Sequence, residues 1–108
     1  MMSGLERENI ATIDDPIRVG KLISRRFLVE LYKKSDDAEF AGQSTSFTIN
    51  QIIREAFRDE EKQIVFDYFK KHSEFFEGEF LRRENNENIK LTNEGKVWVR
   101  IIYAEFFR

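Results

Sequence analysis

The sequence predicts a mainly α-helical domain with one small β-hairpin, an α+β fold. Apolar side chains recur at helical spacing in four segments, most clearly over residues 59–76. Between residues 79 and 92 the pattern changes to two short extended runs around the polar turn ENNE, which is typical of a hairpin. The chain has 108 residues, eleven Phe and no Cys, so it can bury one core that is held by packing alone.

The N-terminal region, residues 1–14, is polar and shows no helical or strand period. We expect a flexible leader here, with NIATI as a candidate short strand, followed by one domain over residues 15–108. The leader has no apolar core of signal-peptide length, and no apolar run approaches the width of a bilayer. The sequence therefore predicts a soluble, cytoplasmic protein.

The first helix is predicted from Pro16 to about Lys34. Asp15 stands where an N-cap is expected, and Pro16 suits the first helical position because its missing N–H is not needed there. Four apolar residues at helical spacing form its predicted buried face: Ile23, Phe27, Leu28 and Leu31. The polar stretch SDDAEFAGQSTS after the helix is predicted to be a connection.

Three further helices complete the predicted fold. FTINQIIREAF predicts a short second helix capped by Thr48 or Asn50, and Asp59 is expected to cap a third helix that runs to about Phe76. The last helix is predicted to begin near Asn93. Gly95 disfavours a helical first turn, so the exact first residue is not predicted.

Three segments carry a resemblance to a known superfamily. FTINQIIREAF, DEEKQIVFDYFKKHSEFF and the returning strand IKLTNEGKVWV resemble the second helix, third helix and wing of the winged helix-turn-helix superfamily. The resemblance spans Ile17 to Phe107. It implies a three-helix core, a hairpin wing and a C-terminal helix.

The resemblance also implies a function, because winged helices most often bind DNA. The third helix then enters the major groove and the wing contacts phosphates. The chain would be a small transcription regulator, and its partner would be DNA. The residues expected at the DNA are Lys62, Gln63, Phe66 and Lys70 on the third helix and Arg82, Arg83 and Lys90 on the wing.

The start of the third helix departs from this pattern, since Asp59, Glu60 and Glu61 are acids. They repel a DNA backbone, or they stabilise the helix through its dipole and free N–H groups. The alternative function is therefore a winged helix that binds a protein and no nucleic acid. Phe66 is then a partner contact, unless the wing or the leader covers it.

The first helix carries the positive charge of a chain whose net charge is −2. Residues 16–34 contain six basic residues and one acid. Arg18, Lys21 and Arg25 lie at i, i+3 and i+7, and Arg26 extends the patch. It is a candidate contact for an anionic surface, either DNA or an acidic protein face, or it is a solvated helix face. A third hypothesis makes the chain a non-catalytic module docked to a larger assembly through this helix.

The C-terminal segment predicts self-association. From Val97 to Phe107, nine of eleven residues are apolar, so one small core can cover only one side. We expect a homodimer, unless the segment is a buried strand or the chain is part of a longer protein. The residues expected at the interface are Trp98, Ile102, Tyr103, Phe106 and Phe107.

The sequence does not predict an enzyme, a cofactor or a metal site. No pair of acids accompanies a nucleophile or a Gly-rich phosphate loop. His72 is the one histidine and lies among aromatic residues, which predicts a packed core histidine.

Overall fold

The computed structural model describes residues 8–85 and 87–104, which form a mainly helical fold with a small antiparallel sheet. This confirms the α+β prediction. The main elements are α1 (Pro16–Phe40), β1 (Ser46–Thr48), α2 (Ile49–Ala56), α3 (Asp59–Lys71), β2 (Leu81–Arg83), β3 (Asn88–Leu91) and α4 (Asn93–Ile102). Two 3₁₀ turns lie at Ile10–Thr12 and Ser73–Phe76. Within the described ranges, no helix combines the length and apolarity needed to cross a bilayer.

Helix α1 begins as predicted, with the Asp15 side chain accepting from the Ile17 N–H at 3.0 Å and Pro16 at the first position. It continues six residues beyond the predicted end at Lys34. Ser35 and Ala38 are buried at helical spacing, and this packing outweighs the low helix propensity of the polar stretch. The first six residues of the segment predicted as a connection thus form the end of α1, and residues 41–45 form the connection.

A short turn joins α2 to α3. Thr48 caps α2 by accepting from the Gln51 N–H at 3.0 Å, which is one of the two predicted caps. The N-cap of α3 is Arg58 and not the predicted Asp59, which lies at the first helical position. The helix ends at Lys71, earlier than the predicted Phe76. A 3₁₀ turn then buries the Phe76 ring.

The three-stranded sheet has the order β1-β3-β2, with both pairs antiparallel. The hairpin β2–β3 was predicted, whereas β1 was not. The register gives the sheet two different faces. Leu81, Leu91, Ile89 and Phe47 lie on the inner face, and Arg82, Lys90 and Ser46 lie on the outer face.

The core is organised around Phe27 of α1. Its ring centroid lies 5.1 Å from that of Phe69 and 5.7 Å from that of Phe76, in edge-to-face geometry. Ile10 also joins this core and is 1% exposed. The prediction of a flexible leader is therefore wrong for residues 8–14, and the candidate strand NIATI contains a 3₁₀ turn instead. Residues 1–7 of the predicted leader lie outside the described residues.

Candidate nucleic-acid interface

The solvent-facing side of α3 carries both signs of charge. Gln63 donates from Nε2 to Asp67 at 3.0 Å, and Lys62 forms an ion pair with Asp59 at 2.8 Å. The hydrogen bond and charge of Lys62 hold the pKa of Asp59 below its ordinary value. Lys70 is exposed, one turn beyond Phe66. Two of the predicted DNA contacts, Lys62 and Gln63, thus already have partners on their own helix.

The environment of Phe66 differs from the prediction that it is exposed to a partner. Its side chain is half-buried and packs against the hydrophobic core, so it is not a free aromatic contact. It occupies the border between the buried and exposed sides of α3. The helical period alone placed it opposite the apolar stripe, but the core extends further around the helix than that stripe.

Glu61 is fully buried, although it belongs to the acidic start of α3. Its carboxylate accepts from the backbone N–H groups of Arg58 and Ile10 and from the guanidinium of Arg26, each at 2.8 Å. Burial raises the pKa of Glu61, but these hydrogen bonds and the charge of Arg26 outweigh it and hold the pKa below its ordinary value. Only Asp59 and Glu60 of the three acids therefore face solvent.

Arg26 corrects the predicted cationic surface on α1. It is 5% exposed and forms the buried ion pair with Glu61, so it contributes nothing to a surface patch. Its position between the buried Leu22 and Val29, at i, i+4 and i+7, was a sequence signal for burial. Because Arg26 directly follows Arg25 in the string SRRF, both were predicted to lie at the surface.

Of the other three predicted members of the patch, Lys21 and Arg25 line one groove and Arg18 does not. Arg18 pairs with Glu8, and Lys21 is exposed. Arg25 is half-buried, with its guanidinium carbon 5.5 Å from the ring centroid of Tyr103. The structure therefore does not bring the four residues together as one basic surface.

The hairpin β2–β3 carries the clearest cationic feature. Arg82 lies directly opposite Lys90 on the outer face of the sheet, and neither forms an ion pair with a described residue. Arg83, which was predicted beside them, lies on the inner face instead. Its guanidinium carbon is 5.4 Å from the ring centroid of Phe76, because alternate residues of a strand point to opposite faces.

Two acids flank these cations at the end of the hairpin. Glu84 and Glu87 are exposed in the turn between β2 and β3. At the other end, Glu39 of α1 pairs with Lys96 of α4. The Lys96 hydrogen bond and charge lower the pKa of Glu39, and the charge of Lys90 adds to this effect. The cationic feature is thus confined to the middle of the hairpin.

Helix α4 exposes a row of apolar side chains: Val97 at 59%, Ile101 at 69% and Ile102 at 52%. We call these three residues the α4 apolar face. Two residues predicted at a dimer interface pack on their own chain instead. Trp98 stacks on Phe80 with ring centroids 5.1 Å apart, and the half-buried Tyr103 lies 6.0 Å from Trp98. The predicted contacts Phe106 and Phe107 lie outside the described residues.

His72 is not a core histidine, so that prediction is wrong. Its side chain is 46% exposed, its ring is tilted 36° to that of Tyr68 with centroids 4.5 Å apart, and its Nδ1 lies 3.2 Å from the Glu74 carboxylate. It follows the last residue of α3, where the chain turns away and leaves the ring at the surface. Across the described residues, no group of three metal-binding side chains comes together.

Comparisons of the chain with family models, with curated proteins and with solved structures found no match. What the protein does is therefore inferred from its own residues.

Proposed function

We propose that this chain is a winged-helix DNA-binding protein, a small transcription regulator that acts as a dimer. The order of elements supports the proposal. One helix, a strand, two tightly joined helices and a β-hairpin follow each other along the chain, and β1 completes the sheet by pairing with β3. In such an arrangement α3 is the groove helix and β2–β3 is the wing.

The observation that carries the proposal is the pairing of Arg82 with Lys90. Two cations directly opposite each other on neighbouring strands repel, so this arrangement costs stability in the free protein. A phosphate bound between them removes the repulsion and gains two charge-assisted hydrogen bonds. Lys70 and Lys71, exposed at the C-terminal end of α3, supply further cations.

This mode of binding relies on phosphates more than on bases. Asp59 and Glu60 at the exposed start of α3 disfavour a close approach of that end to the DNA backbone. Gln63 can pair with adenine only by giving up its hydrogen bond to Asp67. We therefore expect affinity to depend on salt and to vary little with DNA sequence.

The experiment is fluorescence anisotropy of labelled random duplex DNA with the full chain and single variants. We expect Arg82→Ala and Lys90→Ala each to weaken binding by about three- to tenfold, because each removes one phosphate contact. Lys33→Ala is the matched control, since it removes one exposed cation of α1 and changes the net charge equally. Equal effects of all three variants would show that affinity depends on the net charge of the protein and not on contacts made by the hairpin.

A second candidate function is protein interaction without nucleic acid, and the α4 apolar face favours it. Val97, Ile101 and Ile102 form an exposed apolar row on one short helix, which is typical of a contact with another protein surface. In the DNA-binding proposal a second copy of the chain covers this face. Contact through it changes little with salt, whereas phosphate contacts weaken steeply, so the same titration separates the two functions.

A further inference from the structure

An open groove of about 600 Å³ lies on another side of the molecule, between the first turns of α1, the end of α3 and the end of α4. Ile17 and Ile102 form its apolar walls, and Tyr68 forms its floor. Lys21 and Arg25 line it from α1. None of its described lining residues is acidic. The groove therefore combines apolar side chains with two cations, and no carboxylate of a described lining residue neutralises them.

Arg25 is the residue that points to a ligand. Its Nε and Nη1 atoms are buried and have no hydrogen-bond partner. A guanidinium has five N–H donors, and a buried charged donor without an acceptor is costly. Tyr103 covers the group with its ring and accounts for only part of its hydrogen-bonding capacity. An anionic acceptor at this position would satisfy the remaining donors.

Gly20 shows that the floor of the groove is closely fitted. It lies within α1, where glycine is unfavourable, yet a Cβ there would come within 3.1 Å of Tyr68 Cε2 and 3.2 Å of its hydroxyl oxygen. The absence of a side chain lets the Tyr68 ring lie against the α1 backbone. This leaves an aromatic surface beside the two cations.

We propose that this groove binds a small amphiphilic carboxylate, such as an aromatic or medium-chain aliphatic acid. The carboxylate contacts Arg25 and Lys21, because a guanidinium fork matches a carboxylate in geometry and charge. The apolar body of the ligand lies over Ile17 and Tyr68. The proposal requires the ring of Tyr103, the C-cap residue of α4, to turn aside, because it lies over the Arg25 guanidinium. The groove volume is within the range that holds such ligands.

None of the groove residues belongs to the hairpin β2–β3, but the groove lies next to the end of α3 and shares Ile102 with the α4 apolar face, so ligand binding is measured without DNA. The test is isothermal titration calorimetry of the full chain with 1-naphthoate and with neutral 1-naphthalenemethanol. We expect saturable, one-to-one binding of 1-naphthoate that is at least about tenfold tighter than binding of the alcohol, because only the acid has the carboxylate.

Two variants locate the site. Arg25→Gln should weaken binding of 1-naphthoate by about tenfold or more, whereas Lys33→Gln, an equal charge change elsewhere on α1, should leave it unchanged. Ile17→Glu places an acid at an exposed position in the groove and should abolish binding without affecting the fold, so it decides the matter if Arg25→Gln is poorly folded. Absent binding of 1-naphthoate, equal affinity for the alcohol, or unchanged binding by Ile17→Glu would each overturn the proposal.

Discussion

The Glu61 carboxylate and the Arg26 guanidinium form an ion pair of 2.8 Å in the protein interior, 35 residues apart in the chain. The pair joins the first turn of α3 to the middle of α1. The same carboxylate accepts a hydrogen bond from the Ile10 N–H, which holds the N-terminal segment against α3. One buried acid thus fixes two contacts that position α3, the helix we place at the DNA.

Replacement of Arg26 by Met should strongly destabilise the fold. It leaves Glu61 buried without its counter-ion, and loss of one member of a buried pair costs about 3–5 kcal/mol. Urea unfolding, followed by circular dichroism, measures the change. The double variant Arg26→Met/Glu61→Met should recover only part of the loss, because no unpaired charge remains but the N–H groups of Arg58 and Ile10 lose their carboxylate acceptor. A single variant as stable as wild type would show that the pair does not hold α3 in place.

The stability of the protein should also fall in acid in part because of Glu61. Its folded-state pKa is below the ordinary value, so the unfolded chain binds a proton more readily than the folded chain. The contribution is therefore present above the ordinary carboxyl pKa and is lost as pH falls through the lower folded-state value. Unfolding free energies measured from about pH 6 to about pH 3 should decline less steeply in the double variant than in wild type. Identical slopes would exclude a role for Glu61.

Gly95 should not tolerate a side chain. A Cβ there would lie 2.3 Å from the Phe80 carbonyl oxygen and 2.9 Å from Leu91 Cδ1, so the first turn of α4 would have to move. We expect Gly95→Ala to destabilise the fold by about 1–3 kcal/mol in urea unfolding. Gly78→Ala is the matched control, because a Cβ at Gly78 meets no atom within 4 Å and should change stability little.

The α4 apolar face should hold the proposed dimer together. Ile101→Glu places a charge at its most exposed position and should shift the protein to the monomer in sedimentation velocity experiments. Phe40→Glu is the control, since Phe40 is an exposed apolar residue at the end of α1 and lies outside this face. A wild-type chain that is monomeric at high concentration would contradict the dimer directly.

Much of the helical architecture could be predicted because local features specify it. Asp15 and Pro16 mark the start of α1, Thr48 caps α2, and the apolar periodicity of α3 identifies its buried side. The three-residue strand β1 was missed since pairing with β3, more than 35 residues later, creates it. The end of α1 was misplaced because tertiary burial of Ser35 and Ala38 cannot be read from a polar stretch.

The candidate site was less predictable than the fold. Arg26 and Glu61 both appeared to be surface charges, because each lies in a charged run and their partnership spans two helices. Strand alternation places Arg82 and Arg83 on opposite faces of the sheet. Which of the two faces the core depends on the register of β2, which the sequence did not show. The spacing of Lys21 and Arg25 predicted a contact with an anion, but the groove they line could not be predicted, since it is formed by three helices that meet only in the folded chain.

The central claim is that the hairpin and the end of α3 bind DNA phosphates. The most direct test is the affinity of the full chain for random duplex DNA, measured by anisotropy between about 50 and 200 mM salt. With two to four phosphates neutralised per protomer, and so about four to eight per dimer, we expect log K to fall with log salt concentration at a slope of about −4 to −7. No binding at the lowest salt, or an affinity unchanged by salt, would contradict the claim and favour a protein partner.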